Sequence, residues 1–433
     1  MKKAKPYSKY KDSKQEWLGN LPEHWKVQRT KHLFDLITKP APVGNSMELL
    51  SIYTALGVKP RKELEERGNK ASTTDGYWMV KKGDIIVNKL LAWMGAIGIS
   101  EYDGVTSPAY DLLRAKKGVN PYFYNYLFRN PIANREFKRH SRGIMDMRLR
   151  LYFTRFGDIK LPFPSIEDQN SIVDFLDYKL EKINRFISKK KQLIELLNEQ
   201  KAAIINKAVT KGLDPKVKMK GSGIEWLGKI PKHWDIWKLK FLVKITTGNK
   251  NTEDKKDDGE YDFFVRSQTV EKIDSYSFEG EGILTAGDGV GVGRVFHYVN
   301  GRFDYHQRVY LFYDIKNEVN GKYLFNYIRT NIKTELMYYN AKSTVDSIRL
   351  PVLKRFPIAF PEVKEQLKIV EFIEREKKII GNTISTIEKE ISFVEEYKTA
   401  IIAEAVTGKI DVRSFKIPKT EIQLEAGLEE RVN

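Results

Sequence analysis

Residues 173–208, VDFLDYKLEKINRFISKKKQLIELLNEQKAAIINKA, carry apolar side chains at alternating spacings of three and four. The same spacing returns in residues 370–405, VEFIEREKKIIGNTISTIEKEISFVEEYKTAIIAEA. In each segment nine of the eleven seam positions are apolar, and no proline interrupts the pattern. A seam sustained over about five heptads is typical of a coiled coil rather than of an ordinary surface helix. The sequence therefore predicts two long helices, which we expect to pack on each other.

Helix-stopping residues flank both segments. Pro164 and Pro361 precede the two seams, and proline is tolerated only near the first turn of a helix. Gly212 and Gly408 follow them, at the position where glycine commonly ends a helix. These residues predict a start and a stop for each long helix.

The two seams belong to a larger internal duplication. Residues 16–19 (EWLG) and 21–25 (LPEHW) recur as residues 225–228 (EWLG) and 230–234 (IPKHW), 209 positions later. The segments PSIEDQ and PEVKEQ, which open the seams, are 197 positions apart. The stretch between the repeated segments is therefore 12 residues longer in the first half. Because little similarity remains inside that stretch, the chain is a duplicated frame that holds two divergent inserts.

We expect an α+β protein with two mixed α/β domains separated by two long antiparallel coiled-coil helices, in a pseudo-two-fold arrangement. The helices must run antiparallel if each insert lies at the start of its own helix. A helix over residues 173–208 would be about 54 Å long and would act as a spacer. The alternative is two separate core helices in a larger bundle. The predicted segments are a first domain at 1–165, its helix at 166–211, a linker at 212–220, a second domain at 221–361, its helix at 362–407 and a tail at 408–433.

Both inserts have the composition of mixed α/β segments. Residues 83–87, 110–113 and 308–313 resemble strands, since they are rich in aliphatic and aromatic side chains. Residues 123–137 and 323–338 are amphipathic helix candidates near the end of each insert. The connections between them contain many Gly, Asn and Asp residues, as loops do.

Composition narrows the class of protein. The 433 residues include 75 Lys and Arg against 57 Asp and Glu, a net charge of +18, and no cysteine. The charge indicates a polyanionic partner, most simply nucleic acid, although a solvated basic surface is the alternative. The absence of cysteine excludes disulfides, thiolate metal sites and thiol nucleophiles. We find neither a signal peptide nor an apolar run of about 18 residues, so we expect a cytoplasmic protein.

Motifs for catalysis are not found in the sequence. The glycine-rich run 287–293 lacks the spacing of a dinucleotide fingerprint and the Gly-Lys-Ser/Thr of a phosphate loop. A glycine-rich turn, or a close approach of backbone to a ligand, is the better interpretation. The six histidines show no metal-ligand spacing, and those at positions 24 and 233 belong to the repeat. The pattern favours a binding protein over an enzyme.

Basic and amide side chains cluster near the ends of the inserts. Seven Lys and Arg residues lie between positions 138 and 160, against Asp146 and Asp158. The second insert carries Arg-Ser-Gln at 266–268 and His-Gln-Arg at 306–308. Arginine can form paired hydrogen bonds with the edge of guanine, and glutamine with the edge of adenine. The other basic side chains of these segments would contact phosphates.

The duplicated frame resembles the specificity subunit of Type I restriction-modification systems. The resemblance rests on Glu-Trp-Leu-Gly followed by Pro-x-His-Trp, and on the Asp/Glu-Gln pair that opens each heptad helix. Residues 143–149 (GIMDMRL), leading into 161–164 (LPFP), also resemble that family. The likeness covers nearly the whole chain. The first copy has Asp168-Gln169 where Glu-Gln is usual, which is a conservative change.

The resemblance implies two target recognition domains, each reading one half of a split site on double-stranded DNA. It implies two methyltransferase subunits as partners, with S-adenosylmethionine for adenine methylation, and restriction subunits that use ATP and magnesium. This chain would bind no cofactor or metal and would catalyse nothing. As DNA-contacting residues we select Lys89, Arg139, Arg142 and Arg148 in the first insert, and Arg266, Gln268, Arg294, Arg302 and Gln307 in the second.

Other classes of function remain open on the sequence alone. A stand-alone sequence-specific DNA-binding regulator with a coiled-coil spacer would need no methyltransferase partner. A coiled-coil adaptor would bind little polyanion at any salt concentration. A nuclease with a scattered site would cut DNA when Mg²⁺ is supplied.

Overall fold

The structure is a computed structural model that describes residues 5–63, 73–144, 149–339 and 347–417. The chain folds into two compact units. Unit 1 comprises Met1–Lys189 with Glu390–Asn433, and unit 2 comprises Lys190–Lys389. Unit 1 is thus built from both ends of the chain, whereas unit 2 is continuous in sequence.

Unit 1 is a mixed α/β unit. Its strands are β1 (Tyr10–Asp12), β2 (Asn20–Pro22), β3 (Lys26–Arg29), β4 (Phe34–Ile37), β5 (Leu50–Tyr53), β6 (Gly57–Pro60), β7 (Trp78–Val80), β8 (Ile85–Asn88), β9 (Ile97–Ile99), β10 (Gly104–Thr106), β11 (Tyr110–Ala115) and β12 (Lys160–Phe163). Its helices are α1 (Thr30–Leu33), α2 (Pro121–Phe128), α3 (Pro131–His140), α4 (Phe153–Phe156) and the start of α5 (Ile166–Lys211). The end of the last long helix, whose range is given with unit 2, also belongs to unit 1.

The main sheet of unit 1 is antiparallel, in the order β4-β11-β8-β9. All four residues of strand β8 are buried. Since successive side chains of a strand point in opposite directions, both faces of β8 are covered. Ile85 and Val87 join the larger core, which also holds helix α2. Ile86 lies in a smaller core with Leu50 of β5. The sheet is therefore held between two cores, and the end of β8 is fixed in position.

Unit 2 contains a larger sheet. Its strands are β13 (Met219–Gly221), β14 (Lys229–Pro231), β15 (Asp235–Lys238), β16 (Lys244–Thr247), β17 (Tyr261–Phe264), β18 (Glu271–Ile273), β19 (Phe278–Ala286), β20 (Phe296–Tyr305), β21 (Val309–Tyr313) and β22 (Pro357–Phe360). Its helices are α6 (Gly321–Tyr339), α7 (Leu350–Arg355), the end of α5 and the start of α8 (Val363–Val406). The sheet order is β16-β21-β19-β20-β17-β18, and only β17 and β20, among the described pairs, run parallel.

The two units share one strand order despite their different sequences. The order β16-β21-β19-β20 in unit 2 matches β4-β11-β8-β9 in unit 1. Leu112 of β11 lies opposite Ile86 of β8, and Leu311 of β21 lies opposite Leu284 of β19. The inserts are thus divergent copies of one fold, a relation that sequence comparison of the inserts does not show.

The long helices pack against each other in both units. In unit 1, Leu176 at the start of α5 shares a core with Ile401 near the end of α8, and Lys398 Nζ donates to Asn184 Oδ1 at 2.7 Å. In unit 2, Val209 near the end of α5 shares a core with Ile373 near the start of α8. A start beside an end means that the helices run antiparallel within each unit. The two predicted helices and their antiparallel pairing are confirmed.

The repeated histidine and tryptophan hold the start of each long helix. In unit 1 the Asp168 carboxylate accepts a hydrogen bond from the buried Trp25 indole at 3.0 Å and lies 2.7 Å from His24 Nε2. The counterparts in unit 2 are Glu365, Trp234 at 3.2 Å and His233 at 2.8 Å. A carboxylate at a helix N-terminus also interacts favourably with the helix dipole. Aspartate and glutamate thus perform one task in the two copies, and both histidines have a structural role.

One helix prediction is wrong in detail. The sequence predicts a single helix over residues 123–137, but α2 ends at Phe128 and α3 begins at Pro131. Proline lacks the N–H that an inner helical turn needs, and it disfavours helical geometry in the residue before it. Asn130 instead caps α3 by accepting from the Ile132 N–H at 3.1 Å. In unit 2, where no proline intervenes, α6 runs on to Tyr339.

Candidate nucleic-acid interface

Three segments of unit 1 meet at the carboxyl end of β8. They are residues 89–95, 107–109 and 149–152, which we call the unit 1 loop cluster. The Leu151 N–H donates to the Lys89 carbonyl at 2.8 Å, and Lys89 Nζ donates to the Pro108 carbonyl at 3.2 Å. Main-chain and side-chain hydrogen bonds therefore join all three segments.

Unit 2 has the same arrangement at the carboxyl end of β19. Its segments are residues 287–293, 306–308 and 347–349, which we call the unit 2 loop cluster. The Ile348 N–H donates to the Gly287 carbonyl, and the Gly287 N–H donates to the Arg308 carbonyl, both at 2.8 Å. The bond from Ile348 is the counterpart of the bond from Leu151 in unit 1. One main-chain scaffold thus presents different side chains in the two units.

Lys89 is held by its neighbours in the unit 1 loop cluster. Its Nζ lies 3.2 Å from Asp111 Oδ1, and its side chain is only 21% exposed. Burial raises the pKa of the Asp111 carboxyl, and the Lys89 ammonium partly offsets that effect. Lys89 therefore balances a buried acid, and DNA contact by its amine would compete with that pairing.

The other unit 1 candidates lie in two places. Arg142 is exposed, and its backbone exchanges hydrogen bonds with that of Arg150 at 3.0 and 2.9 Å. Arg139 lies in the last turn of α3 and pairs loosely with Glu16 at 3.5 Å and Glu136 at 3.7 Å. The candidate Arg148 lies outside the described residues. Arg142 is thus paired to the start of the 149–152 segment, whereas Arg139 is on the helix beside it.

Two arginines of unit 2 share one carboxylate. Arg266 Nη1 lies 3.0 Å from Asp288 Oδ1, and Arg308 Nη1 bonds Asp288 Oδ2. Partial burial acts to raise the pKa of the Asp288 carboxyl, but the two guanidinium groups outweigh it and hold that pKa below its usual value. The carboxylate therefore remains ionised. Sequence reasoning selects Arg266 but neither Asp288 nor Arg308 as a site residue.

The remaining unit 2 candidates lie in or beside the segments that carry Arg266, Asp288 and Arg308, with one exception. Gln268 donates to the Phe296 carbonyl at 3.4 Å, Gln307 donates to Asn251 Oδ1, and Arg294 is exposed just after the 287–293 segment. Arg302 instead lies six residues along β20 from Phe296, about 20 Å away. Its partners there are Glu279 at 3.0 Å and the ring of Tyr276. The structure therefore separates Arg302 from the unit 2 loop cluster.

The glycine-rich run forms a tight turn, as the sequence indicates. Gly289 has a positive φ of +72°, and a short 3-10 turn spans Gly289–Gly291. A Cβ on Gly291 would lie 2.5 Å from the Arg266 carbonyl oxygen, closer than any side chain allows. Val290 at the tip is almost fully exposed. The glycines thus allow the loop to pack directly on the segment that carries Arg266.

A separate cavity of unit 2, of about 550 Å³, lies at the frame rather than at the loops. It is lined by Ile224, Ile236, Lys238, Arg355 and the buried Glu335, among others. Burial raises the pKa of the Glu335 carboxyl, and the hydrogen bond from the Trp226 indole only partly offsets this. The cavity lining is therefore mixed, with the charged residues Lys238, Arg355 and Glu335 beside apolar ones.

The described ranges contain no group of three or more His, Asp or Glu side chains placed to hold a metal ion. No helix within those ranges is long and apolar enough to cross a membrane.

Two similar units each carry a loop cluster on a common main-chain scaffold, and the side chains of the two clusters differ. The profile described as the type I restriction modification DNA specificity domain matches residues 22–196 and 231–392. Because these two matches cover most of the chain, it belongs to that family of specificity subunits. Its function is that of a specificity subunit of a type I restriction-modification system, with two target recognition domains.

Individual relatives agree with this assignment. The MjaVIII specificity subunit of Methanocaldococcus jannaschii is 24% identical, over 91% of this chain and 95% of the relative. The EcoDI specificity subunit of Escherichia coli is 26% identical, over 42% of this chain and 40% of the relative. This chain therefore spans less than half of the EcoDI subunit and nearly all of the MjaVIII subunit.

Solved structures share the fold. A structure from work on complex assembly and conformational transition of the type I R-M system has a TM-score of 0.68 at 13% identity, over 90% of this chain and 99% of that one. The HsdS subunit from Thermoanaerobacter tengcongensis has a TM-score of 0.51 at 13% identity, over 90% of this chain and 98% of that one. At this identity the likeness concerns the fold alone.

Proposed function

We propose that each unit reads one half of a split double-stranded DNA site through its loop cluster. The observation that carries the proposal is the pairing of one scaffold with two different sets of side chains. The bond from Leu151 to Lys89 in unit 1 and that from Ile348 to Gly287 in unit 2 hold equivalent segments. A shared scaffold with different side chains is what two unlike half-sites require, because base edges are read by side chains.

Electrostatics supports DNA as the target. The chain has a net charge of +18, and release of counterions from phosphates makes such a surface bind duplex DNA. We assign the exposed arginines of the loop clusters to contacts with base edges and phosphates. Lys89 has the weaker case because Asp111 holds it.

We propose that the chain is a non-catalytic subunit. It would act with two modification subunits that use S-adenosylmethionine to methylate adenine, and with restriction subunits that use ATP and magnesium. Family membership supports these partners, since modification and restriction activities belong to such systems. The chain itself would bind none of these cofactors.

The test is to map methylated positions in DNA from cells that express this chain with its modification subunit. We expect one split recognition sequence. Replacing Arg142 with alanine should relax only one half of it, and replacing Arg266 should relax only the other half. The same half changing in both variants would contradict the assignment of one unit to each half-site.

A stand-alone regulator makes a different prediction. It would bind a defined sequence without a modification subunit and would leave no methylation pattern. Co-purification of the chain with a protein of methyltransferase size supports the proposal. Specific binding by the pure chain, together with unmethylated DNA in the expressing cells, would favour the regulator.

A further inference from the structure

Asp288 occupies an unusual place for an acid in a basic DNA-binding unit. It lies in the glycine-rich segment of the unit 2 loop cluster and contacts arginines from two other segments. A carboxylate beside DNA repels phosphates. Asp288 is therefore expected to make a contribution to binding that offsets this repulsion. We propose that Asp288 is a positioning residue that holds Arg266 and Arg308 as one rigid pair for reading guanine. The inference rests on the proposed function of unit 2.

The geometry leaves both arginines available to a ligand. The side chains of Arg266 and Arg308 are 43% and 60% exposed, whereas that of Asp288 is 20% exposed. Each guanidinium carries five N–H donors in a planar fork, and the bond to Asp288 engages Nη1 of each. The remaining donors can make the paired hydrogen bonds to O6 and N7 by which arginine recognises guanine.

The backbone around Asp288 is fixed, so the carboxylate can transmit its position to the arginines. Neighbouring glycines allow main chain to approach main chain. A Cβ on Gly287 would lie 2.9 Å from the Tyr310 ring, and one on Gly291 would lie 2.5 Å from the Arg266 carbonyl oxygen. Gly287 also bonds the main chain of Arg308 and of Ile348. Asp288 thus sits on a loop that is tied to the segments carrying both arginines.

Positioning matters because a free arginine side chain loses conformational entropy when it is immobilised. An arginine held before DNA arrives loses less on binding, and its direction discriminates between bases. A merely structural ion pair would stabilise the loop without affecting the choice of base. The two roles differ in the ratio of specific to non-specific affinity.

Unit 2 contains a matched control for this test. Arg302 pairs with Glu279 at 3.0 Å, and the Arg302 side chain is about as exposed as those of Arg266 and Arg308. This pair lies on β19 and β20, away from the unit 2 loop cluster. Replacing Glu279 with alanine removes the same charge and also releases an arginine from an acid. Its effect measures the general result of losing an acid–arginine pair from unit 2.

The experiment compares D288A, D288N and E279A with the parent chain, each as the full chain assembled with its modification subunit. Affinity is measured for a duplex with the recognition sequence, for duplexes changed at single base pairs, and for an unrelated duplex. We expect D288A and D288N to bind the recognition sequence about tenfold more weakly while affinity for the unrelated duplex stays equal or rises. Discrimination should fall at the base pairs affected by R266A and R308A. E279A should discriminate as the parent does.

Three results would overturn the inference. Unchanged discrimination in D288N, whose side chain is nearly the same shape, would show that the ionised carboxylate is not needed. If the affinities for the recognition sequence and for the unrelated duplex rise equally, Asp288 only repels DNA. If both affinities fall equally, its role is structural. Failure of the proposed function is distinct, because the parent complex would then prefer no sequence at all.

Discussion

Gln169 and Gln366 are the buried polar centres of the repeated frame. The Gln169 side chain accepts from the Asn120 N–H at 2.8 Å and donates to the carbonyls of Gly118 and Pro164 at 3.2 and 3.0 Å. Gln366 repeats all three bonds with Asn320, Glu318 and Pro361. Each glutamine thus ties the first turn of a long helix to the strand before it and to the loop that precedes α2 or α6.

Replacing Gln169 with alanine should lower the free energy of unfolding by about 3 kcal/mol, because it leaves buried N–H and carbonyl groups without partners. Chemical denaturation of the full chain measures this. The control is the neighbouring Asn170, which is exposed and accepts from the Asn120 side chain. N170A should change the unfolding free energy by less than about 0.5 kcal/mol. Equal effects of Q169A and N170A would contradict the role assigned to the glutamine.

The buried Glu335 predicts a pH-dependent stability. Burial raises the pKa of its carboxyl in the folded chain, so the folded state holds this proton more tightly than the unfolded state does. Its contribution to stability is largest below the unfolded pKa of about 4.3 and falls as pH rises through the folded pKa. E335Q cannot ionise and can still accept from the Trp226 indole. Its gain in unfolding free energy over the parent should therefore grow between about pH 4 and pH 7.

Glu136 is the matched control for that measurement. It occupies the corresponding place on α3, and its carboxylate bonds the His140 ring at 2.9 Å and lies 3.7 Å from Arg139. Here the charge has partners, so E136Q should destabilise the chain at neutral pH. An E335Q chain that unfolds more readily than the parent at pH 7 would show that the Glu335 charge is favourable after all.

At the scale of elements, the end of each long helix packs against the repeated Pro-x-His-Trp segment. Gly212 after α5 and Gly408 after α8 have φ values of +75° and +67°. A Cβ on Gly408 would lie 2.4 Å from Pro22 Cδ, whereas one on Gly212 would meet the Trp234 ring and Glu365 at 3.3 Å. In both units the end of a helix therefore packs directly beneath the Pro-x-His-Trp segment.

Alanine at the two helix ends should destabilise the chain unequally. The left-handed conformation alone costs a non-glycine residue about 1–2 kcal/mol, and G408A adds a clash that G212A largely avoids. A Cβ on Gly381, inside α8, would meet nothing within 4 Å, so G381A should stabilise by roughly 0.5–1 kcal/mol. Thermal unfolding of the three variants measures the order. Equal losses in G408A and G212A would argue against the clash with Pro22.

Elements with a strong local period could be predicted from the sequence. The stripes over residues 173–208 and 370–405 predict both long helices, which the structure places at Ile166–Lys211 and Val363–Val406. The strands over 85–88 and 309–313 are also predictable, since they are short, apolar and bounded by turns. The apolar spacing continues across Pro131, so this spacing alone predicts one helix where the structure has two. The proline is a local signal of the break.

Pairings between distant segments could not be predicted. Nothing local in Arg266, Asp288 and Arg308 indicates that they meet, because their contact depends on the order β21-β19-β20-β17. From its sequence context Lys89 would be an exposed basic residue. The pairing of β8 with β11 instead places the Asp111 carboxylate beside its ammonium group. Charge in the sequence therefore locates the right segments, while sheet topology decides which charges are already paired.

At the scale of the whole molecule, the last described residues belong to the core of unit 1. Ile410 and Val412 are buried there with Trp25. The Lys409 ammonium donates to the carbonyls of Leu18 and Asn20. The predicted tail at 408–433 is thus, over its described part, a structural component of the unit that begins the chain.

Loss of those side chains should loosen unit 1 selectively. The double variant I410A/V412A should speed amide hydrogen exchange in residues 7–25 and leave residues 278–313 of unit 2 unchanged. Removing several buried methyl groups costs roughly 3–4 kcal/mol by analogy with other core truncations. I417A, at a half-exposed side chain, is the control and should exchange as the parent does. Faster exchange in both units would show that they do not open separately.

Because Ile410 and Val412 complete the core of unit 1, the order of synthesis affects when that unit can fold. Residues 190–389 emerge from the ribosome as one uninterrupted stretch and hold all the parts of their own unit. The unit that is translated first lacks Ile401, Val406 and Ile410 until residues 190–389 have also been synthesised. At about 5–20 residues per second, its open apolar surface is exposed for on the order of ten seconds or more. The nascent N-terminal half is therefore the part of the chain that most needs protection from aggregation during synthesis.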